Sequence, residues 1–174
     1  MSITQKNVDA SPWLLLVFTL PSNKASERVG IWRKLQKFGS IQLRNAGYML
    51  PNNPVNQERF EWLATAIRKF KGEASVLQVQ AIDDLPPRAL QEQFRQARSA
   101  DYEAVIEEVK KLKLLATGMS AKLIRLRRRY EEIVVVDFFE SPLRRRAEEA
   151  LRQIEQPQEK TGKGRVEMAS KADY

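Results

Sequence analysis

Neither cysteine nor histidine occurs anywhere in the 174 residues. Their absence excludes thiol nucleophiles, disulfides, zinc sites of the usual kind and acid–base chemistry on imidazole. Glycine is sparse and scattered, so there is no glycine-rich loop to cradle a phosphate. Long apolar runs are missing too. The most apolar segment, "WLLLVFTL" at 13–20, is far shorter than the roughly 20 residues that a spanning helix needs. Only Lys6 and Asp9 precede it as charges, and "PSNKASERV" follows, which fits neither the basic leader nor the cleavage site of a signal peptide. A buried strand in a cytoplasmic protein is the expectation. No serine or threonine has a base partner, and no catalytic residue, metal or cofactor is expected.

What the chain does have is positive charge. Thirty Lys and Arg against 22 Asp and Glu leave a net charge of +8. Such a balance favours an acidic partner, whether nucleic acid, an anionic surface or an oxyanion, and says nothing about fold.

Strands and helices alternate up to about residue 82. Trp13 to Leu20 is almost uniformly apolar, as expected of a strand covered on both faces. Pro21-Ser22-Asn23 stops it and is expected to cap a helix from Lys24 to Phe38 that buries Ala25, Val29, Trp32 and Leu35. "SIQLR" alternates, "NAG" supplies a hairpin turn, and "YMLP" returns. Asn53-Pro54 reads as an N-cap and first helical residue, opening a helix with Phe60, Leu63, Ala64, Ile67 and Phe70 on one face. "EASVLQVQAI" is a fourth strand. This β-α-β-β-α-β order is the ferredoxin-like signature, so residues 12–84 are expected to form an α+β domain of that kind. Its first strand, apolar on both sides, predicts that the second sheet face is also covered, by C-terminal helices or a second subunit.

After Pro86-Pro87 the pattern becomes helical. Residues 86–156 predict an antiparallel helical hairpin or subdomain packed on the sheet or on a second subunit, and 157–174 a flexible tail. Asp83 and Asp84 are expected to cap a long helix from Arg88 to about Ala116, with a bend near Ser99-Ala100-Asp101. Its spine is Leu90, Phe94, Val105, Val109 and Leu112. Met119, Leu123, Leu126, Tyr130 and Ile133 mark the buried seam of the next helix. Ser141-Pro142 starts a third. Phe138-Phe139 reads as a packed helix–helix corner.

The second of these helices carries the main functional signal. No acid occurs between Gly118 and Tyr130, and Lys122, Arg125 and Arg129 fall on one stripe with Arg128 beside it. The stripe fits contact with a DNA phosphate backbone. The next alternative is a salt-bridge seam to Glu103, Glu107 and Glu108 on the preceding helix, and after it a solvated face. Arg144, Arg145 and Arg146 form a secondary basic patch at a helix start, paired internally with Glu148 and Glu149 or open to an external anion. Ser22, Asn23 and Lys24 make a weaker candidate oxyanion corner.

The segments "WLLLVFTLPSNKASERVGIWRKLQKFGSIQLRNAGYMLP" and "RRRYEEIVVVDFFESP" resemble the N-terminal domain of the ChrB family of chromate-resistance regulators, over roughly residues 12–156. That resemblance implies a ferredoxin-like domain with helical extensions in a cytoplasmic regulator of chromate-efflux genes. Members usually carry a second, C-terminal domain with His and Cys residues. This chain has neither residue type, and is expected to be a stand-alone N-terminal-type protein or a fragment. A more distant likeness is to the middle domain of phenylacetate-pathway repressors. Small CRISPR-associated nucleases are also distantly similar, but their aspartate after the first strand is replaced here by Leu20-Pro21-Ser22, against nuclease activity. The expected function is therefore that of a non-enzymatic, DNA-binding, homodimeric regulator of the chromate response. The alternative is a module that senses chromate or another oxyanion, or a protein partner, without touching DNA.

Overall fold

The computed structural model describes residues 12–113 and 119–155, with Met119 described for its backbone alone. Four strands and five helices follow one another as β1 (Trp13–Thr19), α1 (Ala25–Lys37), β2 (Ile41–Leu43), β3 (Gly47–Pro51), α2 (Pro54–Lys69), β4 (Glu73–Val79), α3 (Pro87–Lys113), α4 (Met119–Val135) and α5 (Arg144–Glu155). The sheet order is β2-β3-β1-β4, and every neighbouring pair is antiparallel. The expected flexible tail at 157–174 lies outside the described residues.

The pleat of β1 sends alternate residues to opposite faces. Leu14 and Leu16 enter a core closed by Ile31 and Leu35 of α1 and by Phe60, Leu63, Ala64 and Ile67 of α2. Trp13 goes to the other face, where Ile41 and Met49 meet Leu90 and Phe94. The cover on that face is the N-terminal half of α3 with Phe138 and Phe139. It stops short of Val17 and Leu77, which stay exposed.

Local chemistry accounts for the element boundaries. The Asn53 side chain accepts the Asn56 N–H at 2.9 Å, with Pro54 opening α2. Several expectations are corrected. Lys24, not Ser22 or Asn23, precedes α1, and it makes no side-chain cap. Helix α1 buries Ile31 and Leu35, while Val29 is 46% and Trp32 52% exposed. Two apolar stripes coexist on that helix, and periodicity alone does not choose between them. In the β2–β3 turn the left-handed residue is Arg44 (φ 49°), not Asn45 or Gly47. Asp84 does not cap α3; it pairs with Arg44. That guanidinium holds the Asp84 carboxyl below its usual range through a hydrogen bond and its charge.

Helix α3 is uninterrupted through Ser99–Asp101 and spans about 40 Å at 1.5 Å per residue. Its first half covers the sheet. Its second half supplies Tyr102, Val105, Ile106, Val109 and Leu112 to a separate core with Leu126, Tyr130, Ile133, Ala147 and Leu151 of α4 and α5. Between the two halves sits Arg98, 5% exposed, beside Asp101 at 3.1 Å. Gly39 closes the chain over it. Its φ is +73°, and an added Cβ would lie 2.6 Å from Val136 Cβ and 2.9 Å from Arg98 Nη1. Gly39→Ala is therefore expected to destabilise by at least ~1–2 kcal/mol from the left-handed backbone alone, read as a lowered urea midpoint, whereas Gly30→Ala, with open space around it, raises it or leaves it unchanged.

Candidate nucleic-acid interface

Helices α3 and α4 pack side by side, and between them lies a groove of about 550 Å³ lined by Glu108, Lys111, Leu112, Lys122, Arg125, Leu126 and Arg129. Leu112 and Leu126 belong to the buried core and form its floor. The rim is four cations and one carboxylate. Leu126, Tyr130 and Ile133 must face inward, and the roughly 100° step per residue then turns Lys122, Arg125 and Arg129 toward the α3 side.

The expected stripe divides into three environments. Arg129 Nη1 reaches Glu108 Oε1 at 2.7 Å, closing the hairpin as an exposed bridge of small energetic worth. Arg128 lies away from the groove and contacts Glu132 through Nε at 3.3 Å. Lys122 and Arg125 line the groove and make no ion pair among the described residues. Of the three glutamates that could have paired with the stripe, Glu108 does so, whereas Glu107 pairs with Lys110 on its own helix. That lysine's hydrogen bond and charge lower the Glu107 pKa.

Lys111 completes the groove from α3, with no ion pair among the described residues, and the sequence reading missed it. Its signal was legible: Lys110, Lys111 and Lys113 crowd the last turn of α3, just where a hairpin brings them to the start of α4. Three cations in one concave site, none in an ion pair among the described residues, focus a positive potential.

The other candidates lie elsewhere. Arg144 is half-buried against Tyr130, with Tyr102 and Asp137 also in electrostatic range. Arg145 and Arg146 are exposed. Glu149, expected to pair with this patch, instead holds Arg152 at 2.7 Å. At the α1 corner Ser22 and Asn23 are exposed, Lys24 binds Glu27 at 3.0 Å, and Arg28 donates to the Leu20 and Pro21 carbonyls. Phe138 and Phe139 pack on Phe94 with centroids 6.1 and 5.4 Å away. Among the described residues no cluster of three or more acids could hold a metal, and no helix is long and apolar enough to cross a membrane.

Comparison with known proteins gives a consistent result. The family described as "Protein ChrB, N-terminal" matches residues 28–116. Protein ChrB of Cupriavidus metallidurans is 34% identical over 141 residues, covering 78% of this chain and 43% of that protein. The chain thus spans less than half the length of this relative. No solved structure matches. With half of its length matched by the family, the chain belongs to the ChrB N-terminal family.

Proposed function

We propose that this protein is a non-enzymatic regulator of the chromate response that works in the cytoplasm and binds DNA through the α3–α4 groove. The sheet domain is read as ferredoxin-like, which the β-α-β-β-α-β order and the β2-β3-β1-β4 sheet support. The observation that carries the DNA reading is the presence in one groove of Lys111, Lys122 and Arg125, none of them in an ion pair among the described residues, while the groove's carboxylate, Glu108, is taken by Arg129. Phosphates would take that place, each releasing condensed counterions. Base-edge contacts, which confer sequence preference, have no assigned residue.

The test is fluorescence anisotropy of duplex DNA from the promoter region of the adjacent genes, titrated across roughly 50–200 mM salt. The wild type is expected to bind with a steep salt slope. Lys111→Ala/Lys122→Ala/Arg125→Ala is expected to flatten that slope by about 2–3 units, while Arg33→Ala, on the exposed surface of α1, leaves it almost unchanged. No binding at low salt by the wild type would overturn the reading. The alternative module, which takes an oxyanion or a protein and no DNA, would then lead, and a small anion would raise the melting temperature.

A further inference from the structure

Helix α4 has a third face that neither the core nor the groove uses. Ile124 and Val135 are 70% and 68% exposed, the two most exposed of the large apolar side chains among the described residues. Scattered exposed apolar residues need no explanation. These two are different because they share a stripe. At about 100° per residue, Ile124, Arg128, Glu131 and Val135 fall within roughly 60° of arc. The stripe lies opposite buried Leu126, Tyr130 and Ile133, and about a third of a turn from Lys122, Arg125 and Arg129.

The order along the stripe is apolar, basic, acidic, apolar, and it is its own antiparallel complement. Ile124 and Val135 are equidistant from the point between Arg129 and Tyr130, and so are Arg128 and Glu131. Laid antiparallel on a second α4, the helix places Ile124 against Val135, and Arg128 against Glu131, twice over by symmetry. Glu131 has no ion pair among the described residues, and Arg128 has only its exposed contact with Glu132. A face with charges at its centre and single apolar residues at its ends suits no lipid surface, which needs a continuous apolar side.

We propose that two copies of this chain associate through an isologous, antiparallel α4–α4 seam built on Ile124, Arg128, Glu131 and Val135. The two-fold axis of such a pair lies perpendicular to both helices, so it keeps both cationic grooves on the same side of the dimer. The seam stands on its own residues and is tested without nucleic acid, so its failure and that of the DNA reading are separable.

The experiment is sedimentation equilibrium of the full chain over a concentration series, with circular dichroism to check folding of each variant. The wild type is expected to move from monomer toward dimer mass. Arg128→Glu sets Glu against Glu131 of the other copy, and Glu131→Arg sets Arg against Arg128. Each is expected to weaken association about tenfold or more, and Arg128→Glu/Glu131→Arg together are expected to restore it. Because the chain has no cysteine of its own, a cross-link gives the register. Oxidising a mixture of Ile124→Cys and Val135→Cys proteins is expected to yield the heterodimer. Neither alone is expected to cross-link, since like positions lie about 16 Å apart along the seam. A monomer at every concentration, single swaps without effect, a double swap that fails to restore the dimer, or homodisulfides in equal yield would each overturn the proposal.

Discussion

Phe94→Ala is expected to lower the unfolding free energy by about 3–5 kcal/mol, the range for deleting a buried aromatic ring. Phe94 is 2% exposed and is the hub of the cluster between sheet and helices. Trp13 stacks on it at 5.9 Å and 7°, Phe139 sits at 5.4 Å, and Phe138 meets it edge-on at 6.1 Å. The ring therefore joins β1, α3 and the α4–α5 connection at one point. Urea denaturation followed by tryptophan fluorescence reads the loss, with Trp13 the buried one of three tryptophans. Phe94→Leu keeps most of the volume and is expected to cost less than the alanine. Val17→Ala, on the uncovered part of the same sheet face, is expected to cost little. Equal costs at the two positions would mean that the aromatic cluster does not hold the second face.

The second large effect belongs to Asp137. It is buried just past the end of α4, and its carboxylate ties α3 to the α4–α5 connection. The Tyr102 hydroxyl donates to Oδ2 at 3.0 Å, and the Ser141 N–H donates to both oxygens at 2.9 and 3.1 Å. Asp137→Ala leaves both donors buried and unpaired, at about 1–3 kcal/mol each, so roughly 2–6 kcal/mol in all. Tyr102→Phe removes the donor itself and is expected to cost only about 1 kcal/mol. A signature in pH accompanies this pair. Burial first, then the Asp137 charge and its hydrogen bond, push the Tyr102 phenol well above its ordinary value of 10.0. In the folded chain the proton is held more tightly than in the unfolded one. The corresponding stability is fully present below pH 10 and is lost as pH rises beyond it, by about 1.4 kcal/mol per unit until the folded pKa is reached. Urea midpoints of wild type and Tyr102→Phe should therefore converge as pH climbs above 10. Parallel curves would contradict the assignment.

Much of the architecture was legible because apolar periodicity and turn chemistry are local. The alternation of "SIQLR", the Asn53-Pro54 start and the spine Leu90, Phe94, Val105, Val109 and Leu112 all sit where their pattern put them. Both apolar faces of β1 pointed to a covered sheet, and α3 is the cover. Phe138 and Phe139 pack as a corner because two adjacent large rings are expensive to leave wet. Errors arose where two local solutions had similar quality. On α1 the stripe at Val29 and Trp32 competes with the one at Ile31 and Leu35, and only the sheet's geometry selects the second. At Asp84 a capping role was locally reasonable, but Arg44, distant in sequence, offers an opposite charge.

The site divides along the same line. Sequence by itself determined that this chain has no thiol or imidazole chemistry, that it carries excess positive charge, and that an acid-free cationic stripe lies on one helix. Those are properties of residue identity and helical spacing, which need no partner. Which of the stripe's cations remain available was decided only by the fold, because ion pairing depends on what packs alongside. Glu108 of α3 takes Arg129, and Lys111 arrives from α3 to join Lys122 and Arg125, whereas the Arg128–Glu132 pair is a local i,i+4 contact within α4. A charge run states how much charge a segment has; the helix packed against it determines how much is left unpaired.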